Sequence, residues 1–256
     1  MDLAAITPML LTYNEAPNIA RTLDKLAWAR QILVIDSGST DDTLAIVARY
    51  GQAQVVHRGF DDFAGQCNFG LSRITTPWVL SLDADYELSD ALIAELRTLA
   101  PGDRINGYRA GFIYRMFGHA LRGTLYPPRT VLYRAATGRY RNEGHGHRAV
   151  IDGAVQNLAA RIYHDDRKPL ARWLASQQRY AELEVDHLLS ADPRELRRTD
   201  RIRLLGWPAP PLVFIYTLLV KGCLLDGWPG WLYVLQRTLA EIMIAVEIVD
   251  RRLRHQ

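Results

Sequence analysis

The sequence predicts an α/β fold around a mostly parallel sheet, followed by a helical tail of a different character. Three observations carry this expectation. Short continuous apolar runs alternate with segments of helical spacing from residue 5 to about residue 99. Such alternation implies right-handed βαβ units. Each apolar run ends in a cluster of polar side chains. Beyond Arg194 the chain turns first basic and then apolar.

The elements follow in order. Residues 5–11 read as a short strand ended by "TYNE", and 17–28 as a helix with Ile19, Leu23 and Leu26 on one stripe. "QILVID" (31–36) is apolar throughout, as a strand buried on both faces should be. A helix through Leu44, Ile46, Val47 and Tyr50 follows, then a strand at 53–57 and a short helix at 65–73. "WVLSLD" (78–83) is the fourth strand, and Ser89 caps a helix over 89–99. After residue 105, "GYRAGFIYRMFG" and "RTVLYRA" read as strands, and 168–189 as an amphipathic helix. The expected domains are 1–190, with halves 1–104 and 105–190, and a tail over 191–256.

Charge is unevenly placed. From Arg194 onward there are 10 Lys/Arg against 6 Asp/Glu, a net of +4, whereas residues 1–193 carry 21 against 22, a net of −1. The basic excess therefore belongs to the tail, and no nucleic-acid partner is expected. Cys67 and Cys223 have no metal-binding spacing and fit free thiols in a reducing compartment. "MDLAAITPMLLTYNE" is not a signal peptide, having an acid at position 2 and polar residues inside its apolar run.

Asp83 and Asp85 end the fourth strand. In extended backbone, residues i and i+2 project to the same side. Two carboxylates there suit one hard cation, whose shell is completed by phosphate oxygens. As isolated residues they read equally as turn formers. Three other strand ends carry similar groups: Thr12, Asn14 and Glu15; Asp36, Ser37, Gly38, Ser39 and Asp41; Gln66 and Asn68. Polar groups converging at the carboxyl edge of a parallel sheet make a binding crevice. Carboxylates there take ribose or base donors, and amides read a base edge. No glycine-rich phosphate cradle is present, so a metal is expected to neutralise the phosphates.

The motifs "TYNEAPNI", "ILVIDSGSTDDT", "FAGQCNFGL" and "WVLSLDADYELS" occur in that order. Their order and spacing resemble the family 2 glycosyltransferases, inverting enzymes of the GT-A fold with a Rossmann-like sheet. "LLDGWPGWLYVL" extends the resemblance toward a lipopolysaccharide-core glucosyltransferase-like branch. The resemblance implies that Thr12, Asn14 and Glu15 line the uridine, with Asp36 and Ser37 at uracil or ribose. Gln66 and Asn68 continue that wall. Asp83, with Ala84 beside it, approaches the ribose, and Asp85 ligates a Mg²⁺ or Mn²⁺ ion that bridges the diphosphate. His164, in "RIYHDDRKP", is a further candidate ligand, because other members of the fold use a late histidine. The chain departs from the branch at Tyr86, where an acid is common, with Glu87 one step later.

Inverting transfer also needs a general base for the acceptor hydroxyl. "RYRNEGHGHRAV" offers Glu143, His145 and His147, with Glu143 slightly ahead and then His145. Arg122 and Arg129 are candidates for phosphate or an anionic acceptor. The implied reaction moves a sugar from a nucleotide donor, UDP-linked first, to a lipid-linked or lipopolysaccharide-type acceptor. Two alternatives stand beside it. A nucleotidyltransferase would need a Gly- and Lys/Arg-rich loop after the first strand, which "TYNEAPN" lacks. A non-catalytic membrane-docking module would not need Asp83 and Asp85.

In the tail, five arginines lie between Arg194 and Arg203, and an apolar stretch follows that is interrupted by Pro208, Pro210 and Pro211. A simple span needs about 20 uninterrupted apolar residues. Two interfacial helices, about 211–225 and 230–250, are expected instead, with Trp207, Trp228, Trp231 and Tyr233 at headgroup level. Residues 194–250 would then hold the protein on the cytoplasmic face of the inner membrane, as a peripheral or monotopic protein. Packing of the tail on the protein itself or in a homodimer is the alternative.

Overall fold

The computed structural model describes residues 1–143, 146–194 and 196–254. The elements are β1 (Ile6–Thr12), α1 (Ile19–Asp24), β2 (Ile32–Asp36), α2 (Thr43–Val47), β3 (Ala53–His57), α3 (Phe63–Leu71), β4 (Trp78–Asp83), β5 (Tyr86–Leu88) and α4 (Asp90–Thr98). Then come β6 (Ile105–Met116), β7 (His119–Ala120), β8 (Arg129–Arg134), β9 (Gly138–Glu143), β10 (Gly146–Ile151) and β11 (Ala154–His164). The remaining helices are the long α5 (Leu170–Ser190) and α8 (Gly227–Arg254) and, between them, the short α6 (Arg198–Leu204) and α7 (Ala209–Ile215).

The chain forms two compact units. The first comprises Met1–Arg115, Tyr126–Asn142 and His147–Arg167. The second comprises Met116–Leu125, Glu143–Gly146 and Lys168–Gln256. Helix α5, placed by sequence in the domain 1–190, falls in the second unit.

In the first unit the strands run β3-β2-β1-β4-β8-β6-β11-β5. The pairs β1–β2, β2–β3 and β1–β4 are parallel, as expected. Beyond β4 the expectation of a mostly parallel sheet needs correcting. β8 runs antiparallel to both β4 and β6, and β5 antiparallel to β11, while β6 and β11 are parallel. β4 meets β8, and β5 meets β11, across long stretches of chain, so pairing between distant segments rather than a βαβ repeat sets these directions. Among the described residues, the first unit has no α-helix between β6 and β11, so this half lacks the crossover helices of β1–β4.

Alternation along the strands divides the core. Ile6, Leu10, Ile32 and Val34 face α1 and α4 on one side, and Met9, Leu33 and Ile35 face α3 on the other. The predicted stripe of Ile19, Leu23 and Leu26 is fully buried, although α1 itself stops at Asp24 and the chain continues in turns. Ser89 caps α4 as expected, its Oγ accepting from Leu92 N at 3.1 Å.

In the second unit the tail has two helical segments near the expected 211–225 and 230–250, with shifted bounds. The prolines lie at the start of the first. Pro210 and Pro211 occupy the first turn of α7, where no backbone donor is needed. The helix continues as a π-turn over Tyr216–Val220 and ends at Gly222, whose φ of +74° favours glycine. Helix α8 then runs unbroken for 28 residues. Arg203 fixes α6 to both long helices, reaching Glu184 on α5 at 3.1 Å and Glu241 on α8 at 2.9 Å. Both carboxylates are buried.

Removing one partner of a buried ion cluster leaves uncompensated charge. Arg203→Met is expected to destabilise the second unit by about 3 kcal/mol, visible as a lower urea midpoint for α-helical circular dichroism. An unchanged midpoint would show that the cluster contributes nothing.

Candidate active site

The site is built at the carboxyl edge of the parallel strands in the first unit. Register makes these ends level: Thr12 pairs with Asp36, Leu11 with Asp83, and Asp36 with His57. Asp36 is fully buried. Its carboxylate accepts from the backbone N–H groups of Gly38 (2.9 Å) and Ser39 (3.0 Å), from Ser39 Oγ (2.5 Å) and from Thr12 Oγ1 (3.2 Å). Burial raises its pKa, but the hydrogen bonds from Ser39, Gly38 and Thr12 outweigh it and hold the carboxyl below its ordinary value of 3.8. Asp36 thus shapes the loop that follows β2.

Asn14 completes the loop from the other side. It sits in the left-handed region, with φ of +55°, a conformation asparagine tolerates. Its Oδ1 accepts from the N–H groups of Thr40 (2.6 Å) and Asp41 (3.2 Å), and its own N–H donates to Ser39 Oγ (2.9 Å). Glu15 N donates to Thr43 Oγ1, and Glu15 Oε2 accepts from Asn18 Nδ2 at 2.9 Å. Gln66 is buried and donates to Ser37 Oγ and to the carbonyls of Arg58 and Gly59. These predicted residues are brought together.

Asn68 makes its hydrogen bonds to the backbone of β9. Its amide donates to Tyr140 O at 3.0 Å and accepts from Tyr140 N at 2.8 Å. It therefore clamps α3 to β9, and both ends of its amide are engaged in doing so.

The Asp-Ala-Asp segment links β4 to β5. Ala84 is buried, and its carbonyl accepts from Thr22 Oγ1 at 2.7 Å. Asp85 is also buried, and its Oδ2 lies 3.2 Å from His164 Nε2. Residues 79 positions apart meet because β5 pairs with β11, placing His164 opposite Tyr86. The His164 ring packs against Tyr114 and Tyr126, each with centroids 4.6 Å away, and against Tyr86 at 5.2 Å. The hydroxyls of Tyr86 and Tyr126 hydrogen-bond each other. Burial pushes both phenols well up, so both stay neutral. Tyr86, which stands where an acid is common, is therefore part of an aromatic wall that fixes His164. Glu87 points the other way, pairing with Arg21 and with Arg115.

Arg129 adds a fixed positive charge. Its guanidinium lies 5.0 Å from the Tyr126 ring centroid. Burial disfavours its charge, while the nearby Asp83 carboxylate favours it, and the guanidinium stays protonated. Arg129 is a candidate from the sequence for phosphate or an anionic acceptor; Tyr126 is not. No local spacing marks either residue, because β8 reaches β4 only through the sheet.

Among the described residues, no three His, Cys, Asp or Glu side chains converge as a metal cluster. Asp85 and His164 nonetheless fit a divalent cation that takes its remaining ligands from phosphate. One carboxylate oxygen and one imidazole nitrogen already point at each other. That is the donor count expected when a substrate diphosphate completes the shell. His145 and the side chains of Glu143 and His147 lie outside the described residues. Cys67 and Cys223 are buried free thiols.

Comparison with known proteins shows the family and the fold. The model of glycosyl transferase family 2 matches residues 9–147. The lipopolysaccharide core biosynthesis glycosyltransferase LpsC of Rhizobium meliloti is 25% identical over 260 residues, covering 96% of this chain and 92% of that protein. An uncharacterized glycosyltransferase of Rickettsia felis is 34% identical over 115 residues, 44% of this chain and 40% of that one. The mannosyltransferase PcManGT of Pyrobaculum calidifontis, solved with GDP-Man and Mn²⁺, has the same fold. It superposes with a TM-score of 0.53 over 97% of this chain and 87% of that one, at 17% identity.

Asp36 gives a pH signature. Its folded pKa lies below the unfolded value near 3.8, so its stabilisation is present above 3.8 and is lost as pH falls further. Asp36→Asn keeps the shape and removes the charge. It is expected to cost about 2 kcal/mol at neutral pH, with the gap to wild type closing below pH 3.8. Urea titrations at the two pH values test this, and a gap that does not depend on pH would refute it.

Proposed function

Because the chain belongs to glycosyl transferase family 2, we propose that it is an inverting, divalent-metal-dependent transferase that uses a nucleotide-sugar donor. The observation that carries this reading is the Asp85–His164 contact, 3.2 Å long, at the end of the strand that also carries Asp83. The Asp36 and Asn14 network holds a polar crevice for the nucleoside. Asp83, half-buried at the end of β4, takes the ribose hydroxyls. Asp85 and His164 would hold Mn²⁺ or Mg²⁺ against the diphosphate. A cation bound there supplies Lewis-acid stabilisation of the leaving group. Arg129 adds positive charge beside Asp83.

In the reaction the acceptor oxygen forms its bond to the anomeric carbon as the bond from that carbon to the β-phosphate oxygen breaks. The electron pair stays on the departing diphosphate, and the acceptor proton passes to a base. The loop 143–147 supplies that base, with Glu143 first and His145 second. UDP is the expected nucleotide, although the mannosyltransferase of like fold was solved with GDP-Man. The acceptor is a lipid-linked or lipopolysaccharide-type glycan, met at the cytoplasmic face of the inner membrane. The likeness to LpsC along nearly the whole chain supports this.

The test is donor hydrolysis without acceptor, over a panel of nucleotide sugars, with Mn²⁺, Mg²⁺ or EDTA. Release of nucleoside diphosphate from one donor, abolished by EDTA and by Asp85→Ala, is expected. His164→Ala should raise the metal concentration for half-maximal rate by about tenfold or more. Release that persists in EDTA and in Asp85→Ala would overturn the metal assignment. No release from any donor, together with no nucleotide binding, would overturn the transferase reading.

A further inference from the structure

The second unit has a helical hairpin whose polarity is inside out. Between Leu205 and Val249, every exposed side chain is aliphatic or aromatic, Tyr216 being the one with a hydroxyl. Trp207 and Trp228 are 78% and 87% exposed. On α8, Leu235, Leu239, Ile242, Val246 and Val249 form one continuous exposed stripe. Most charges of the same segment are engaged by other side chains and none is among its exposed residues. Asp226 pairs with Arg122, Glu241 with Arg203, Glu247 with Arg251, and Lys221 lies over the Tyr216 ring, while Arg237 is half-buried. An apolar face of this extent marks an interaction surface.

The ends of the hairpin are basic and close together. Arg252, near the end of α8, donates to the carbonyl of Leu204, where the apolar segment begins. The chain therefore enters and leaves the apolar segment at one place. Among the described residues no single helix is long and apolar enough to cross a membrane, and Ala209–Val220 and Cys223–Arg254 are bent by 67°. At the base, the end of α5, the segment after it, α6 and the end of α8 enclose an open groove of about 660 Å³. Leu188, Leu196 and Leu204 line its floor, and Arg194, Arg201 and Arg252 line it with positive charge. None of the described lining residues is acidic.

We propose that this hairpin inserts into a single leaflet and that the groove at its base seats the phosphate headgroups of anionic phospholipid. The apolar helices supply burial, and interfacial tryptophans suit the headgroup level. Guanidinium forks match phosphate oxygens, and the leucines accept the adjoining acyl methylenes. The groove chemistry selects lipid over a second copy of the chain. A self-association interface would bring the arginines of two copies together, and no acidic residue is among the described residues that line the groove. The proposal rests on the membrane-facing part of the functional reading, but its test needs no turnover.

The experiment is flotation of the full-length chain with vesicles of phosphatidylcholine alone or mixed with phosphatidylglycerol. Three proteins are compared: wild type, Leu239→Asp/Ile242→Asp on the exposed face, and Arg194→Gln/Arg201→Gln/Arg252→Gln in the groove. Wild type is expected to float with both vesicles, and more strongly with the anionic ones. The face variant should lose both. The groove variant should keep phosphatidylcholine binding and lose the anionic preference, by about tenfold or more. Nucleotide binding and circular dichroism identify a variant that has failed to fold; Leu235→Asn/Val246→Asn and the milder Arg194→Gln/Arg201→Gln then replace it. Equal wild-type binding to the two vesicles, or an undiminished preference in the groove variant, would overturn the headgroup site. A stable dimer that floats with neither vesicle would overturn lipid as the occupant. Donor hydrolysis measured alongside in detergent separates either failure from failure of the transferase reading.

Discussion

The first unit depends on one geometric constraint, the short link from β4 to β5. From Asp83 to Tyr86 the chain spans at most about 11 Å. Yet β5 lies four places beyond β4 in the strand order, which in a flat sheet would be about 19 Å. The sheet must therefore curl until its far edge returns to the end of β4. Asp85 lies in that link, and His164 is the last residue of β11, paired with Tyr86 across the closure. The contact between Asp85 and His164 is thus a product of closure rather than of local sequence. Thr22, bonded to the Ala84 carbonyl, and Asp165, whose N–H reaches the Asp85 carbonyl, hold the link in place.

Around this closure the polar groups are mostly committed before any ligand arrives. Asp36 and Asn14 use their oxygens to fix the loop after β2, Gln66 ties Ser37 to the chain near Arg58, and the tyrosine wall fixes His164. Pre-formed polar sites avoid the cost of ordering side chains when the ligand binds. Arg21 serves a similar end outside the crevice. It bridges Glu87 and Asp165, so the two segments that carry the predicted metal ligands are joined by an ion pair as well as by the sheet.

The second unit follows the opposite logic. Glu184 and Glu241 are buried around Arg203, while an apolar stripe of α8 faces outward. For a protein surrounded by water such an arrangement is unfavourable, because each exposed leucine forgoes roughly 1.5–3 kcal/mol of burial. A face of this kind becomes favourable when an apolar partner covers it.

The sequence alone determined the parallel half of the sheet, the Ser89 cap and the polar edge. These follow from local rules: continuous apolar runs for strands buried on both faces, and a serine before a helical stripe. It also singled out Asp83, Asp85 and His164, though with no way to show that Asp85 and His164 touch. Tertiary structure alone decided three matters. It placed Asp85 against His164, because the strand order that joins them is set by pairing between residues far apart in the chain. It made Asn68 a clamp, because its partner Tyr140 lies 72 positions away. It set the bounds of the tail helices, moving the break between them to Gly222 and the start of α8 to Gly227. In each case the sequence specifies the side chain, and long-range strand pairing or helix position determines what it meets.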